Sequence, residues 1–187
     1  MILSVLLRPK LSPAQVSRIT LMAGVSAVRA IRSATSRSLG IKWPNDILYQ
    51  NKKVGGILTE MSAEPDEVHF IVLGIGININ ADPSELPPGS TSLKAIAGKV
   101  MDRIGFARLL LKELDADYKR FRGGNFQALA KCWEDYSATS GKRVAAAVHG
   151  RKIQGQATGI DEDGALWIRK DDGLQERILA GDIEHLR

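Results

Sequence analysis

Residues 42–60, KWPNDILYQNKKVGGILTE, hold Lys42 and Lys53, the Asn45-Asp46 pair and the glycines Gly55 and Gly56 in one short, hairpin-like stretch. Two ammonium groups fixed on a strand frame are suited to binding phosphate oxygens. In an extended chain successive side chains alternate between faces, so with Ile41 and Trp43 toward a core, Lys42 points to the accessible side. The same alternation puts Lys53 on the face of Gly55, whose missing side chain leaves room for a ligand beside the ammonium. Asn45 and Asp46 after Pro44 read by default as an Asx-type turn. Next to a triphosphate, the carboxylate would instead orient a lysine or Mg²⁺. Trp43 reads as a core aromatic, since a large ring in a strand normally buries.

A second group lies in the run VHFIVLGIGININ, residues 68–80. Period-two alternation collects Leu73, Ile75, Ile77 and Ile79 on one face and Gly74, Gly76, Asn78 and Asn80 on the other. One face is core, and the other is bare and then polar. Glycines inside a strand mark a bulge, a tightly packed neighbour or the close approach of a ligand. In the last case a flat group such as a nucleobase would lie over Gly74 and Gly76, with Asn78 offering it both a donor and an acceptor.

The elements that must position these residues are legible from spacing. A strand over Ile2 to Leu7 precedes Ser12-Pro13-Ala14-Gln15, which supplies an N-cap, a proline at the first helical position and a capping-box glutamine. Val16, Ile19, Met22, Val25, Val28 and Ile31 continue at helical spacing to about Ser38, with Gly40 as the stop. Strand pieces at 41–43 and 47–49 flank the Pro44-Asn45-Asp46 turn. Asn51-Lys52 turns the chain again into a strand over 53–61. Residues 81–92, with three prolines and Gly89, form a loop too long for a tight hairpin, and such loops often border sites. Helices follow at 106–121 and 126–133. After about Ser140 the pattern changes to short strands at 143–148, 152–160, 165–170 and 174–179. The expected division is therefore residues 1–140 and a small β domain at 141–187, which at under 50 residues packs on the first.

Composition is that of a folded globular chain: 187 residues, 44% hydrophobic and 25% charged. No apolar run approaches the ~18 residues of a membrane span. The single cysteine, Cys132, forms no disulfide framework or cysteine zinc cluster within one chain, which fits a reducing, cytoplasmic setting. A net charge of +5 arises from 26 basic residues interspersed with 21 acidic ones. The densest basic stretches have helical spacing and read as solvated faces, so no DNA partner is expected. His69, His149 and His185 lack metal-ligand spacing and receive no catalytic role, and no protein-held metal is expected. No P-loop or complete dinucleotide fingerprint is present.

The run from Lys42 to Asp46, with Lys53-Val54-Gly55-Gly56-Ile57-Leu58 after a short spacer, resembles the signature of biotin protein ligases. Leu6-Leu7-Arg8-Pro9, Gly74-Ile75-Gly76-Ile77-Asn78 and Thr91-Ser92-Leu93 resemble further segments of that family, in the family's order. The resemblance implies an α+β fold, with a mixed or antiparallel sheet and packed helices as in class II synthetase-like ligase domains, followed by a small SH3-like β-barrel. It implies that biotin and ATP, supplied with Mg²⁺, give biotinyl-5'-AMP and pyrophosphate. Biotin then passes to a lysine of a biotin carboxyl carrier protein. Carried over residue by residue, Lys42 would contact the α-phosphate and the reacting carboxylate, and Lys53 the biotin carboxyl side. Asp46 would support lysine or metal geometry, Asn78 would contact the adenylate, and Asn45, Gly55, Gly56, Gly74 and Gly76 would complete the binding surface.

The family's Ser/Thr-Asn segment for the biotin ring and its Gly-Arg-Gly-Arg-type loop have no counterpart in these residues. Arg122-Gly123-Gly124 falls after the second signature and is not that loop. The expectation is a ligase domain lacking its N-terminal portion, with weakened binding and rate. A non-catalytic homologue that only binds nucleotide, biotinyl-AMP or a partner chain is the first alternative, and a lipoate-type ligase the second. Exposed strands would also favour a homodimer.

Overall fold

The computed structural model describes residues 1–148 and 150–186. His149 therefore lies outside the described residues. Strand β1 (Ile2–Leu7) leads through a 3-10 turn at Pro13–Gln15 into helix α1 (Ser17–Thr35). Strands β2 (Gly40–Lys42), β3 (Asp46–Tyr49), β4 (Lys52–Ala63) and β5 (Val68–Ile77) follow. Together with β1 they form one antiparallel sheet in the order β1-β5-β4-β3-β2. Helices α2 (Leu93–Ala97), α3 (Arg103–Arg122) and α4 (Phe126–Tyr136) come next. The chain ends in β6 (Arg143–Val148), β7 (Arg151–Ile160), β8 (Leu166–Arg169), β9 (Gln175–Ile178) and β10 (Asp182–His185), a second antiparallel sheet in the order β10-β6-β7-β8-β9. The fold is α+β, and the first sheet is antiparallel throughout.

Helix α1 is the centre of the molecule. Its six expected apolar positions are all buried, and so are Leu21, Ala23, Ala27 and Ala30 between them, because sheet, α3 and α4 cover it on several sides. Gly24 lets the helix approach the sheet: a Cβ there would touch Ile41 and Ile57 at 3.4–3.7 Å. The helix stops at Thr35 rather than near Ser38, with Ser36 in the left-handed conformation as its cap. Gly40 instead opens β2, where a side chain would press on Ala138 at 2.9 Å.

Three further expectations shift. The β3–β4 hairpin turns on Gln50 and Asn51, both at positive φ, one residue earlier than expected and with the two-residue geometry that matches strand twist. Helix α3 begins at Arg103, three residues early, because Asp102 caps it by accepting the Ile104 amide at 3.0 Å. A fifth C-terminal strand, β10, pairs with β6 where the sequence offered only four.

The two sheets are joined by specific polar contacts. Trp43 is 1% exposed, and its indole N–H donates to the Gly164 carbonyl at 3.1 Å. Glu134 of α4 accepts the Ile160 amide of β7 at 2.8 Å. Arg18 of α1 pairs with Asp163 at 2.8 Å.

Candidate active site

Strand register sets the site. Lys42 lies opposite Asp46, Asp46 opposite Gly56, Gly56 opposite Gly76, and Gly76 opposite Ile2. Directly opposed residues share a face, so one row crosses all five strands of the first sheet on the side away from α1. One end of the row holds a cation and an anion side by side, and its middle is bare backbone. Gly74 lies in the next row, between Ser4 and Leu58. The opposite face of β5 carries buried Leu73, Ile75 and Ile77, as alternation requires.

Lys53 reaches this face through an irregularity. It stands three residues before Gly56, an odd spacing that simple alternation assigns to opposite faces. A bulge between the pairs Ile47–Gly55 and Leu48–Lys53 leaves Val54 as the extra residue and reverses the alternation. Lys53 Nζ consequently lies 2.5 Å from Asp46 Oδ1. A Cβ on Gly56 would meet Asp46 Oδ1 at 3.3 Å and Lys53 Nζ at 3.5 Å. The expectation that Gly55 makes room beside Lys53 is thus corrected: Gly56 has that role. Gly55 faces β5, where a Cβ would collide with the Gly76 carbonyl and Ile77.

The proline-rich loop borders the site. The Lys53 amide donates to the Gly89 carbonyl at 2.8 Å, and the Lys53 carbonyl accepts the Thr91 amide at 2.8 Å. Both backbone groups of the lysine are held by this loop, which limits how far its side chain can move. Asn78 secures the same loop, donating its amide to the Thr91 carbonyl at 3.1 Å. Asn80 clamps the chain further on, exchanging two 2.9 Å bonds with the Met101 backbone. Asn45 binds across to β4, with its side-chain amide on the Ile57 carbonyl at 2.9 Å and its carbonyl on the Ile57 amide at 3.0 Å. The turn is therefore held across strands rather than within itself, and the Asn45 amide braces the hairpin.

Lys42, Asp46 and Lys53 open into a cleft of about 510 Å³, which Lys142, just before β6, and His185 of β10 close from the other side. Lys142 and His185 were not legible as site residues. His185 Nε2 lies 3.2 Å from Thr139 Oγ1, 46 positions away in sequence, and Thr139 Oγ1 accepts the Trp43 amide 96 positions away at 3.0 Å. Burial, then the charges of Lys42 and Lys142, push the His185 pKa below its ordinary 6.5. Three lysines around one acid, already paired, leave the cleft cationic, which suits an anionic ligand.

Residues 1–78 match the biotin/lipoate A/B protein ligase family, and residues 139–186 match the biotin protein ligase C-terminal domain. The biotin--[acetyl-CoA-carboxylase] ligase of Paracoccus denitrificans is 31% identical over 180 residues, covering 92% of this chain and 75% of that protein. This chain belongs to the biotin protein ligase family. The bifunctional ligase/repressor BirA of Bacillus subtilis is 36% identical over 186 residues, 97% of this chain and 57% of BirA. The chain thus spans little more than half the length of that relative. Among solved structures, the Aquifex aeolicus biotin protein ligase in complex with biotin and ATP superposes with a TM-score of 0.85 at 28% identity, covering 99% of this chain and 78% of that one.

Proposed function

We propose that this chain activates biotin with ATP and transfers it to a lysine of a biotin carboxyl carrier protein. In the first step a biotin carboxylate oxygen attacks the α-phosphorus, and pyrophosphate leaves. In the second the acceptor lysine amine attacks the biotinyl carbonyl, loses a proton, and AMP leaves. Both steps gather negative charge, and fixed cations in a partly desolvated cleft lower such barriers. The observation that carries the reading is the convergence of Lys42, Lys53 and Asp46 beside the bare strip Gly56–Gly76.

In this reading Lys42 binds the α-phosphate and the reacting carboxylate. Lys53 binds the carboxyl side of biotin once the ligand competes with Asp46 for its ammonium. Gly56, Gly76 and Gly74 form the floor, and Gly55 permits β4 and β5 to approach. Asn78 has its amide N–H on Thr91, which leaves Oδ1 to accept from the adenylate. Asn45 supports the hairpin from behind. Asp46 is the one carboxylate lining the cleft among the described residues, and no described cluster of three His, Cys, Asp or Glu side chains could hold a metal. The residues therefore do not fit a resident ion, and Mg²⁺ would arrive on the ATP phosphates.

Biotin-dependent exchange of labelled pyrophosphate into ATP tests the proposal. Exchange that disappears in Lys53→Ala supports it, and no exchange at high protein and millimolar substrates overturns it. A binding-only reading is favoured by one observation, the engagement of Lys53 with Asp46. Biotinyl-AMP bound in calorimetry without turnover would select it, and lipoate offered in place of biotin tests the family's other substrate. The proposal includes self-association and a cytoplasmic location. No helix among the described residues is long and apolar enough to cross a membrane. Light scattering over a concentration series reads the oligomeric state.

A further inference from the structure

Trp43 follows directly on Lys42, and its backbone N–H lies beyond the three-residue strand β2. That strand is held by β3 on one side and by a single bridge from Ile41 to Ser137 on the other. The residue next to the proposed phosphate-binding lysine is therefore anchored mainly through side chains. Its N–H donates to Thr139 Oγ1 at 3.0 Å, and Thr139 is fully buried. A hydroxyl that accepts from an amide still has one proton to place. The acceptor within reach is His185 Nε2, at 3.2 Å.

Satisfying the buried hydroxyl favours one state of the imidazole. With Nε2 bare and the proton on Nδ1, all three groups are satisfied in sequence, from amide to hydroxyl to ring nitrogen. An imidazolium would aim a second donor at Thr139 Oγ1 and strand the hydroxyl proton in the interior. We infer that His185 is a positioning residue for the Lys42 strand: neutral, it fixes Trp43 through Thr139, and its protonation releases that anchor. The inference rests on the ligase reading for its consequence in catalysis, but not for its geometry.

The charges around the ring favour the neutral form. Lys42 from β2 and Lys142 from the segment before β6 face it, and together with burial they disfavour a further cation. Asp46, the acid in the same cleft, is bound to Lys53. On β6 the residue paired with His185 is Val144, and on β10 the neighbouring Glu184 points to the exposed face. A bound anionic substrate would oppose this preference, so the effect belongs to the free enzyme. It is read in kcat/KM for ATP rather than in kcat.

Two measurements on the full chain test the inference. In the first, ring nitrogen shifts of His185 and the Trp43 amide resonance are followed by NMR from neutral to acidic pH. Nδ1-protonated imidazole at neutral pH and a Trp43 amide that moves with the His185 titration are expected. In H185Q, whose side-chain carbonyl can accept from Thr139 but cannot take a proton, that response of Trp43 disappears.

In the second, the acidic limb of kcat/KM present in the parent chain flattens in H185Q. H185L, which offers no acceptor, lowers kcat/KM on the order of tenfold across the pH range. A Trp43 amide indifferent to the His185 titration, or an acidic limb unchanged in H185Q, overturns the inference. If no pyrophosphate exchange is found at all, the ligase reading fails, and the NMR measurement still decides the anchor. If H185L does not fold, H185Q and the NMR titration remain.

Discussion

Lys53 Nζ and Asp46 Oδ1 lie 2.5 Å apart because Val54, as the extra residue of a bulge, turns Lys53 onto the Asp46 face of the sheet. Without the bulge the two lysines of the signature would lie on opposite sides of β3 and β4, and no cleft could collect them. The bulge in turn is held by the loop that takes both backbone groups of Lys53. Site geometry therefore depends on which of the paired glycines faces which way.

The adjacent glycines accordingly differ in what they tolerate. At Gly55 a methyl group would collide with the Gly76 backbone carbonyl, which cannot move without parting β4 from β5. Gly55→Ala should destabilise the fold by about 3 kcal/mol, read as a lowered urea midpoint. At Gly56 the methyl meets side-chain ends at 3.3–3.5 Å, which can shift. Gly56→Ala should change stability by less than about 1 kcal/mol and weaken substrate binding, because it displaces the Asp46–Lys53 pair. Equal destabilisation by the two substitutions would refute the assignment of faces.

Under the proposed reaction, Lys42→Ala and Lys53→Ala should each lower biotin-dependent exchange by about 100-fold or more, the scale seen when one charge-stabilising donor is removed. Asp46→Ala should cost less, on the order of tenfold, since it leaves both cations in place but frees Lys53. Steady-state exchange kinetics read all three, and a larger loss at Asp46 than at either lysine would assign the carboxylate a direct part in the reaction.

Far from the cleft, Asp117 of α3 is fully buried and accepts from Ser26 at 2.9 Å, Arg29 at 2.7 Å and Arg120 at 2.8 Å. It joins α3 to α1, the helix on which the sheet rests. Burial opposes the Arg29 charge, yet Asp117, then Cys132 and Tyr136, hold the guanidinium pKa above its ordinary value. Asp117→Ala leaves the Arg29 guanidinium without its carboxylate, while the Ser26 hydroxyl keeps the Met22 carbonyl at 3.1 Å, and should cost about 3 kcal/mol of stability. Its exchange rate per folded molecule should be unchanged, so a lost rate with intact stability would contradict a purely structural role.

How far the sequence carried this picture follows from which interactions are local. The glycine face of β5 and the core face opposite were legible because both follow period two within ten residues. Trp43 was rightly read as core, and the loop at 81–92 as a border of the site. The faces of Gly55 and Gly56 were not legible, since a bulge is decided by pairing with β3 and by the loop carbonyl at Gly89, neither of which leaves a trace in the motif. Thr139, Lys142 and His185 were missed for a related reason. They reach Trp43 and Lys42 only when the second sheet docks, and nothing in their own neighbourhoods marks them. Asn45 and Asn78 had the right polarity for a ligand, but the fold uses their amide donors first.

That docking has an acid-sensitive joint at Asp161. Burial alone would raise its pKa. The Arg177 guanidinium and the amides of Ala165 and Asp163 outweigh burial and hold it below the ordinary 3.8. A depressed carboxylate contributes stability in full above its unfolded value, and the contribution is lost as pH falls through the folded value. Asp161 orders the turn that presents Asp163 to Arg18 of α1 and Gly164 to the Trp43 indole, so its protonation loosens the contact between the sheets. The urea midpoint of the parent chain should fall as pH drops through and below the ordinary carboxylate range. Asp161→Asn should start lower at neutral pH and show a shallower acid decline, because the group that titrates has been removed. Parallel declines in the two chains would show that other carboxylates set the acid limit.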